Sequence, residues 1–221
     1  MKAKFLLLLF TFLLSCNSEK NIQPNVVLIY LDDLGYGDVS SYELGTLETP
    51  NMDKIANGGI RFTNGYASSA TCSPSRYALM TGTYPWRNKK AKIITGGNLI
   101  IDENEMTLPK MFKSMGYETG VVGKWHLGLG KDGPVDYNSL ISPGPNEVGF
   151  DHSYIMADTQ DRVPTVYIEN GNVVNLDPND PIEINFGNDD YGLVSGKKNP
   201  ELLTMKWHHG HNGSIINGVP R

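Results

Sequence analysis

The apolar positions of this chain change period several times. Residues 5–14 are almost wholly apolar behind a short basic head at Lys2 and Lys4, and the run closes on Ser15-Cys16. That run is too short to span a bilayer as a helix. Basic head, apolar run and small-residue close together predict a secretory signal over residues 1–15. Residues 26–31, "VVLIYL", form a second continuous apolar run, halted by Asp32-Asp33 and then Gly35. With no alternation, it predicts a strand buried on both faces, as in the middle of a parallel sheet.

Helical units follow. "TPNMDKIANGG", residues 49–59, reads as Thr49 cap, Pro50 at the first helical position and Gly58 or Gly59 as the stop. Residues 60–66 suggest another strand. "CSPSRYALMTG", residues 72–82, predicts a helix capped by Ser73, with Pro74 at its first position and an end near Met80, before Gly82. "TLPKMFKSMG" repeats the scheme with Thr107 and Gly116, and "YETGVVGKWHLG" supplies a strand ending near Gly123. Strands and helices in alternation predict an α/β fold, a mainly parallel sheet flanked by helices. Past residue 130 the signal weakens. "SPGPNEVGFDHSY" is loop-like, "VYIENGNVVNL" reads as a hairpin turning at Asn170-Gly171, and residues 205–221 show no clear period.

Composition narrows the classes. The chain has 221 residues, enough for one substantial domain or part of a larger one. Its formal net charge is −5, and removing residues 1–15 takes away two lysines and brings it close to −7. That argues against nucleic acid as a partner. It leaves room for a small anionic substrate, because a pocket can be locally positive within an acidic protein.

Candidate chemistry gathers at a few places. Cys72 lies at a predicted helix N-terminus, where free N–H groups and the macrodipole favour negative charge, and Arg76 can reach back to the same spot. On the residues alone it is a small buried hydrophobe or a thiolate of lowered pKa, the latter needing a histidine nearby. The chain holds only one other cysteine. Two cysteines in an exported chain suggest one disulfide. Asp32-Asp33 are either turn-forming acids or hard oxygen donors suited to Ca²⁺ or Mg²⁺. Lys124 and His126, two apart, fall on one side of an extended segment with Trp125 opposite. They are otherwise a surface lysine and a satisfied histidine. His208, His209 and His211 fit no standard zinc spacing. They suit substrate contact or an ordinary loop.

Several of these segments occur together in one family. "DDLGYGD", "TPNMDKIANGGIRFTNGYA", "CSPSR" with "YALMTGTYPWR", and "GYETGVVGKWHLG" appear in an order that resembles the type I, formylglycine-dependent sulfatases, from residue 25 to at least 130. The resemblance implies an alkaline-phosphatase/sulfatase-like fold and the hydrolysis of aryl or glycan sulfates. It implies that Cys72 is oxidised during export to formylglycine by a formylglycine-generating enzyme. The hydrated aldehyde is a gem-diol: one hydroxyl attacks sulfur and takes the sulfate. Loss of a proton from the other then breaks the C–O bond and restores the aldehyde. By the same resemblance Asp32, Asp33 and the modified Cys72 bind a metal, commonly calcium with magnesium as the alternative. Arg76 orients the formylglycine, Lys124 neutralises charge, His126 accepts the proton, and the histidines at 208, 209 and 211 face the substrate. "LLSC" resembles a bacterial lipobox, which implies a lipid on Cys16, residues 16–24 as tether, and a periplasmic or outer-membrane location. In that case Cys72 has no disulfide partner.

The chain also departs from the family. Members are usually much longer and supply an Asp-Asn pair to the metal from a later strand, and no credible counterpart stands between residue 130 and Arg221. The expectation is therefore that residues 25–221 are the amino-terminal part of a sulfatase catalytic domain, an incomplete fold with little turnover of its own. Two other readings are a phosphoester or phosphonate hydrolase of the same superfamily, and a lipid-anchored, non-catalytic binder of sulfated glycans.

Overall fold

The computed structural model describes residues 23–42, 47–94, 96–160, 162–184 and 201. Cys16, His208, His209 and His211 lie outside the described residues. The chain divides into two compact units, Met1–Arg61 and Phe62–Arg221.

In the first unit, helix α1 (Pro50–Gly58) has Thr49 at its N-cap, Pro50 at its first position and Gly59 at its C-cap, as the pattern predicts. The Thr49 hydroxyl does not cap the helix. It is drawn to Ser40, whose backbone N–H donates to it at 3.0 Å, while the Ser40 hydroxyl donates to Asp53 at 2.7 Å. These bonds tie the short 3-10 turn Ser40–Tyr42 to α1, and a second such turn, Tyr36–Asp38, precedes it.

The strand expected over residues 26–31 is absent. Its side chains are exposed, Val27 at 83%, and the segment belongs to no sheet. An apolar run without alternation becomes a strand only where neighbouring strands pair with it and layers cover both its faces. The described part of this unit supplies neither. Residues 60–66 are likewise irregular and exposed.

The second unit carries α2 (Cys72–Thr81), a 3-10 turn at Pro85–Arg87, α3 (Leu108–Ser114), β1 (Gly120–Lys124), β2 (His152–Met156), β3 (Tyr167–Glu169) and β4 (Asn172–Val173). The strands form one sheet in the order β1-β2-β3-β4. Strands β1 and β2 are parallel, with Lys124 opposite Met156, and the other two pairs are antiparallel. The fold is thus α/β with a mixed sheet among the described residues. Strand β2 lies at the end of a segment read from sequence as loop. The expected hairpin is present, with Asn170 and Gly171 both at positive φ (45° and 82°), the geometry a tight two-residue turn demands.

A parallel pair needs a long crossover, usually a helix. Here residues 125–151 cross without one, and they form much of the core instead. Trp125, Leu127, Leu129, Tyr137, Ile141 and Val148 are buried there against Tyr77, Ile100, Ile101, Ile155 and Ile168. Each such side chain contributes about 1.5–3 kcal/mol when fully buried.

Helix α2 begins two residues earlier than the pattern predicts. Thr71 is the N-cap, Cys72 the first helical residue and Pro74 the third. Ser73, Pro74 and Ser75 are all buried, and the Ser75 N–H closes the first turn on the Thr71 carbonyl at 3.1 Å. Proline is tolerated in that turn because its missing N–H has no helical partner to lose. Helix α3 follows expectation, with Thr107 accepting from the Lys110 N–H at 3.4 Å and donating to the Val148 carbonyl.

Candidate active site

Cys72 and Arg76 are four residues apart on α2, so they share one face of the helix. The thiol is free and half-buried. As the first residue of a ten-residue helix it sits at the positive end of the backbone dipole. One turn on, the Arg76 guanidinium donates from Nη1 to the backbone carbonyl of Lys124 at 2.5 Å. That bond joins the face bearing Cys72 to the end of β1.

Beyond Lys124 the chain stays hydrogen-bonded to the continuation of β2. Trp125 N–H donates to the Met156 carbonyl at 2.9 Å and His126 N–H to the Ala157 carbonyl at 2.8 Å. The expected simple alternation breaks at His126, whose φ is +53°. The imidazole is fully buried. Its Nε2 lies 2.8 Å from the Ile94 carbonyl and 3.0 Å from Nη1 of Arg162. Its Nδ1 is buried with no hydrogen-bond partner among the described residues. Burial pushes the His126 pKa down to about 4, with Lys124, Arg162 and Arg76 acting in the same direction against the Ile94 carbonyl. The Arg162 guanidinium touches the ring itself, and Arg76 reaches the backbone carbonyl of Lys124 two residues before it.

Two residues of this cluster carry no local sequence signature. Asp158 is buried and accepts from the Gly96 N–H at 2.7 Å. Burial raises its pKa, opposed by the Gly96 bond and by the charges of Arg162 and Lys124. Both Asp158 and Arg162 follow β2. Ligands bind just beyond the carboxyl ends of strands in open α/β sheets, so recognition of 152–156 as a strand would have singled out Asp158.

The structure thus brings Arg76, Lys124 and His126 into one electrostatic cluster, with Cys72 one helical turn from Arg76. Asp32 and Asp33 belong to the first unit and are exposed. A hard divalent cation takes six or more oxygens. The two aspartates offer suitable donors, yet no group of three or more His, Cys, Asp or Glu side chains forms among the described residues. The described residues do not by themselves build a cation site.

Comparison with known proteins adds an independent observation. The Sulfatase family model matches residues 24–206. An N-acetylgalactosamine-6-O-sulfatase of Bacteroides thetaiotaomicron is 48% identical over 206 residues, covering 93% of this chain and 40% of that protein. Human steryl-sulfatase is 40% identical over 144 residues, or 62% of this chain and 24% of that one. A structure solved in work on the metabolism of multiple glycosaminoglycans by B. thetaiotaomicron superposes with a TM-score of 0.83 at 50% identity, over 90% of this chain and 42% of the other. The chain spans about two-fifths of the length of that first relative.

Proposed function

The chain belongs to the sulfatase family, and from that premise we propose that it serves the hydrolysis of sulfate esters, with a sulfated carbohydrate as substrate. The observation that carries this reading is the Arg76–Lys124 bond. It joins the helix face bearing Cys72 to the strand end bearing Lys124 and His126.

Each residue has a role suited to its surroundings. Cys72, converted to formylglycine, supplies the nucleophile. Arg76 and Lys124 are fixed positive charges for the sulfate oxygens, whose stabilisation needs no reorganisation at the moment of reaction. His126 is neutral at pH 7 and so able to take a proton. Sulfatases use a divalent metal. Asp32 and Asp33 are this chain's contribution to holding it, with calcium as the expected ion, and the remaining ligands are not among the described residues. Export, lipid attachment at Cys16 and maturation by a formylglycine-generating enzyme belong to the same reading. The likeness to a protein named for N-acetylgalactosamine 6-sulfate makes that sugar the first substrate to test.

The test is sulfate release by the protein after co-expression with a maturation enzyme. Its substrates are N-acetylgalactosamine 6-sulfate, N-acetylglucosamine 6-sulfate, an aryl sulfate and an aryl phosphate. Turnover of sulfate esters ahead of the phosphate supports the proposal. Inactivity on every sulfate ester, with the aldehyde present, refutes it. A preference for the phosphate transfers the site to the phosphoester reading.

A further inference from the structure

We propose that Tyr84 and Trp86, with the basic residues that follow them, form a second binding surface for a sulfated polysaccharide chain, outside the candidate active site. The choice of ligand rests on the function proposed above. The surface itself does not.

Residues 54–101 contain no Asp or Glu, in a chain whose formal net charge is −5. Within that stretch Arg87, Lys89, Lys90 and Lys92 fall inside six residues. All four are exposed. None of them pairs with an acid among the described residues. A row of unpaired cations with no acid between them raises a local positive potential, which attracts a polyanion even to an acidic protein.

The aromatic pair directly precedes this row. Tyr84 and Trp86 stack with ring centroids 4.1 Å apart and planes 15° apart. They are nevertheless 54% and 68% exposed. Tryptophan is highly buried on average, so an indole held in water calls for a reason. A flat aromatic face packs well against the C–H face of a sugar ring. Ammonium and guanidinium groups pair with sulfate oxygens. A sulfated polysaccharide presents both features along one chain. An anionic lipid surface offers the charge without the ring faces.

The surface is also pre-formed, with an anchor at every third residue. Pro85 is buried. The Asn88 N–H donates to the Pro85 carbonyl at 3.0 Å, and its side-chain amide donates to the Ile100 carbonyl at 3.3 Å. Its side-chain oxygen accepts from the Lys90 N–H at 2.9 Å. Ala91 is buried, and its N–H donates to the Asn88 carbonyl at 2.9 Å. Trp86, Arg87, Lys89 and Lys90 lie between these anchors, so little backbone ordering is left for binding to oppose. Helix α2 starts at Cys72 and ends at Thr81, roughly 15 Å on. Tyr84 follows that far end. Two residues past Lys92, the Ile94 carbonyl lies 2.8 Å from Nε2 of His126. The segment therefore leads from the far end of α2 back to the candidate site. One glycan chain lying on it has a route to place a sulfated sugar in that site.

The experiment is calorimetric titration of the protein with chondroitin 6-sulfate, and with the same polymer stripped of sulfate, at several salt concentrations. Cys72→Ala is carried throughout, so that the sulfates stay in place. The sulfated polymer binds at least about tenfold more tightly than the stripped one. Trp86→Ala weakens binding about tenfold and leaves the salt dependence as it was, and Trp86→Tyr recovers most of the loss. The double variant Lys89→Gln, Lys90→Gln weakens binding to a similar extent and flattens the salt dependence. With position 72 restored and matured, turnover of monomeric N-acetylgalactosamine 6-sulfate is the same in all of them. Equal affinity in the parent, Trp86→Ala and the double variant overturns the proposal, and the lysine pair decides alone should Trp86→Ala fail to fold. Equal binding of the two polymers also overturns it. So does a loss confined to phosphatidylglycerol vesicles, which gives the surface to lipid, or a matching loss of turnover on the monosaccharide, which gives it to the active site. Absence of all sulfatase activity, with the binding losses as expected, sinks the proposed function and leaves this surface standing.

Discussion

Arg76 and Lys124, 48 residues apart in sequence, are joined by a 2.5 Å hydrogen bond from guanidinium to backbone carbonyl. The bond sets the distance between a helix N-terminus and a strand end, and both places carry residues of the candidate site. The arginine therefore has a structural task as well as an electrostatic one.

Arg76→Ala removes a charged donor from a half-buried carbonyl. The expected loss is about 1–3 kcal/mol of stability, read as a lower urea midpoint with unchanged slope, together with loss of turnover. Arg76→Lys keeps the charge and loses the fork that reaches the carbonyl. It should recover part of the stability and little of the activity. Full stability in the alanine variant would show that the bond ties nothing together.

His126 links stability to acidity. Its folded pKa lies near 4, below the ordinary 6.5, so the unfolded chain binds the extra proton first. The contribution is fully present above about pH 6.5 and is lost as pH falls toward 4, amounting to ~3 kcal/mol over that window. Asp158, whose pKa is raised, acts with the opposite sign at the acidic end. Urea midpoints measured from about pH 7 to pH 4.5 should fall in the wild type and stay flatter in His126→Gln. Parallel slopes in the two proteins would contradict the buried neutral imidazole.

Gly128 is the last residue of the "GKWHLG" segment, and the structure explains why it is glycine. Its φ is +81°, and a Cβ there would overlap the Asn98 backbone carbonyl. The neighbouring chains are stitched together by Ile100 N–H to Leu127 carbonyl at 3.0 Å and Leu129 N–H to Gly97 carbonyl at 3.0 Å. Gly128's own carbonyl accepts from the Trp125 indole at 2.8 Å. Gly128→Ala should cost about 3 kcal/mol or more through strain and overlap, seen as a large drop in thermal midpoint. Gly133→Ala also places a side chain at positive φ (+74°), in open space, and should cost about 1–2 kcal/mol.

Asp151 predicts a second acid-sensitive window. Its carboxylate meets the Lys113 ammonium at 2.7 Å and accepts from the Thr119 N–H at 2.9 Å and the Thr119 hydroxyl at 3.0 Å. These contacts, Lys113 foremost, lower its pKa to about 2. The stability they supply is present above the ordinary carboxylate pKa near 3.8 and is lost as pH falls toward 2. Asp151→Asn should therefore be less stable at pH 7 and lose less than the wild type on acidification through that window. An identical acid loss in both proteins would remove Asp151 from the account.

Local chemistry made the helices and the hairpin legible. Thr49-Pro50, Thr107 with Gly116, and Asn170-Gly171 each dictate their own backbone. The sheet was less so. The run at 26–31 is as apolar as any central strand, yet burial on two faces depends on what packs against it, which a local pattern does not contain. Strand β2 alternates in burial along five residues, too short a signal to separate from the loop before it. At the site, Cys72, Arg76, Lys124 and His126 were visible through the family motifs. Arg162 and Asp158 were not, since only the pairing of β1 with β2 brings them to His126.

The most direct measurement is the mass of the tryptic peptide covering residues 62–76, taken from protein co-expressed with a maturation enzyme, alongside sulfate release by the same sample. The account predicts an aldehyde in place of the thiol at position 72, activity proportional to the fraction converted, and none in Cys72→Ala. Hydrolysis of sulfate esters by protein whose residue 72 is still wholly a thiol would contradict it.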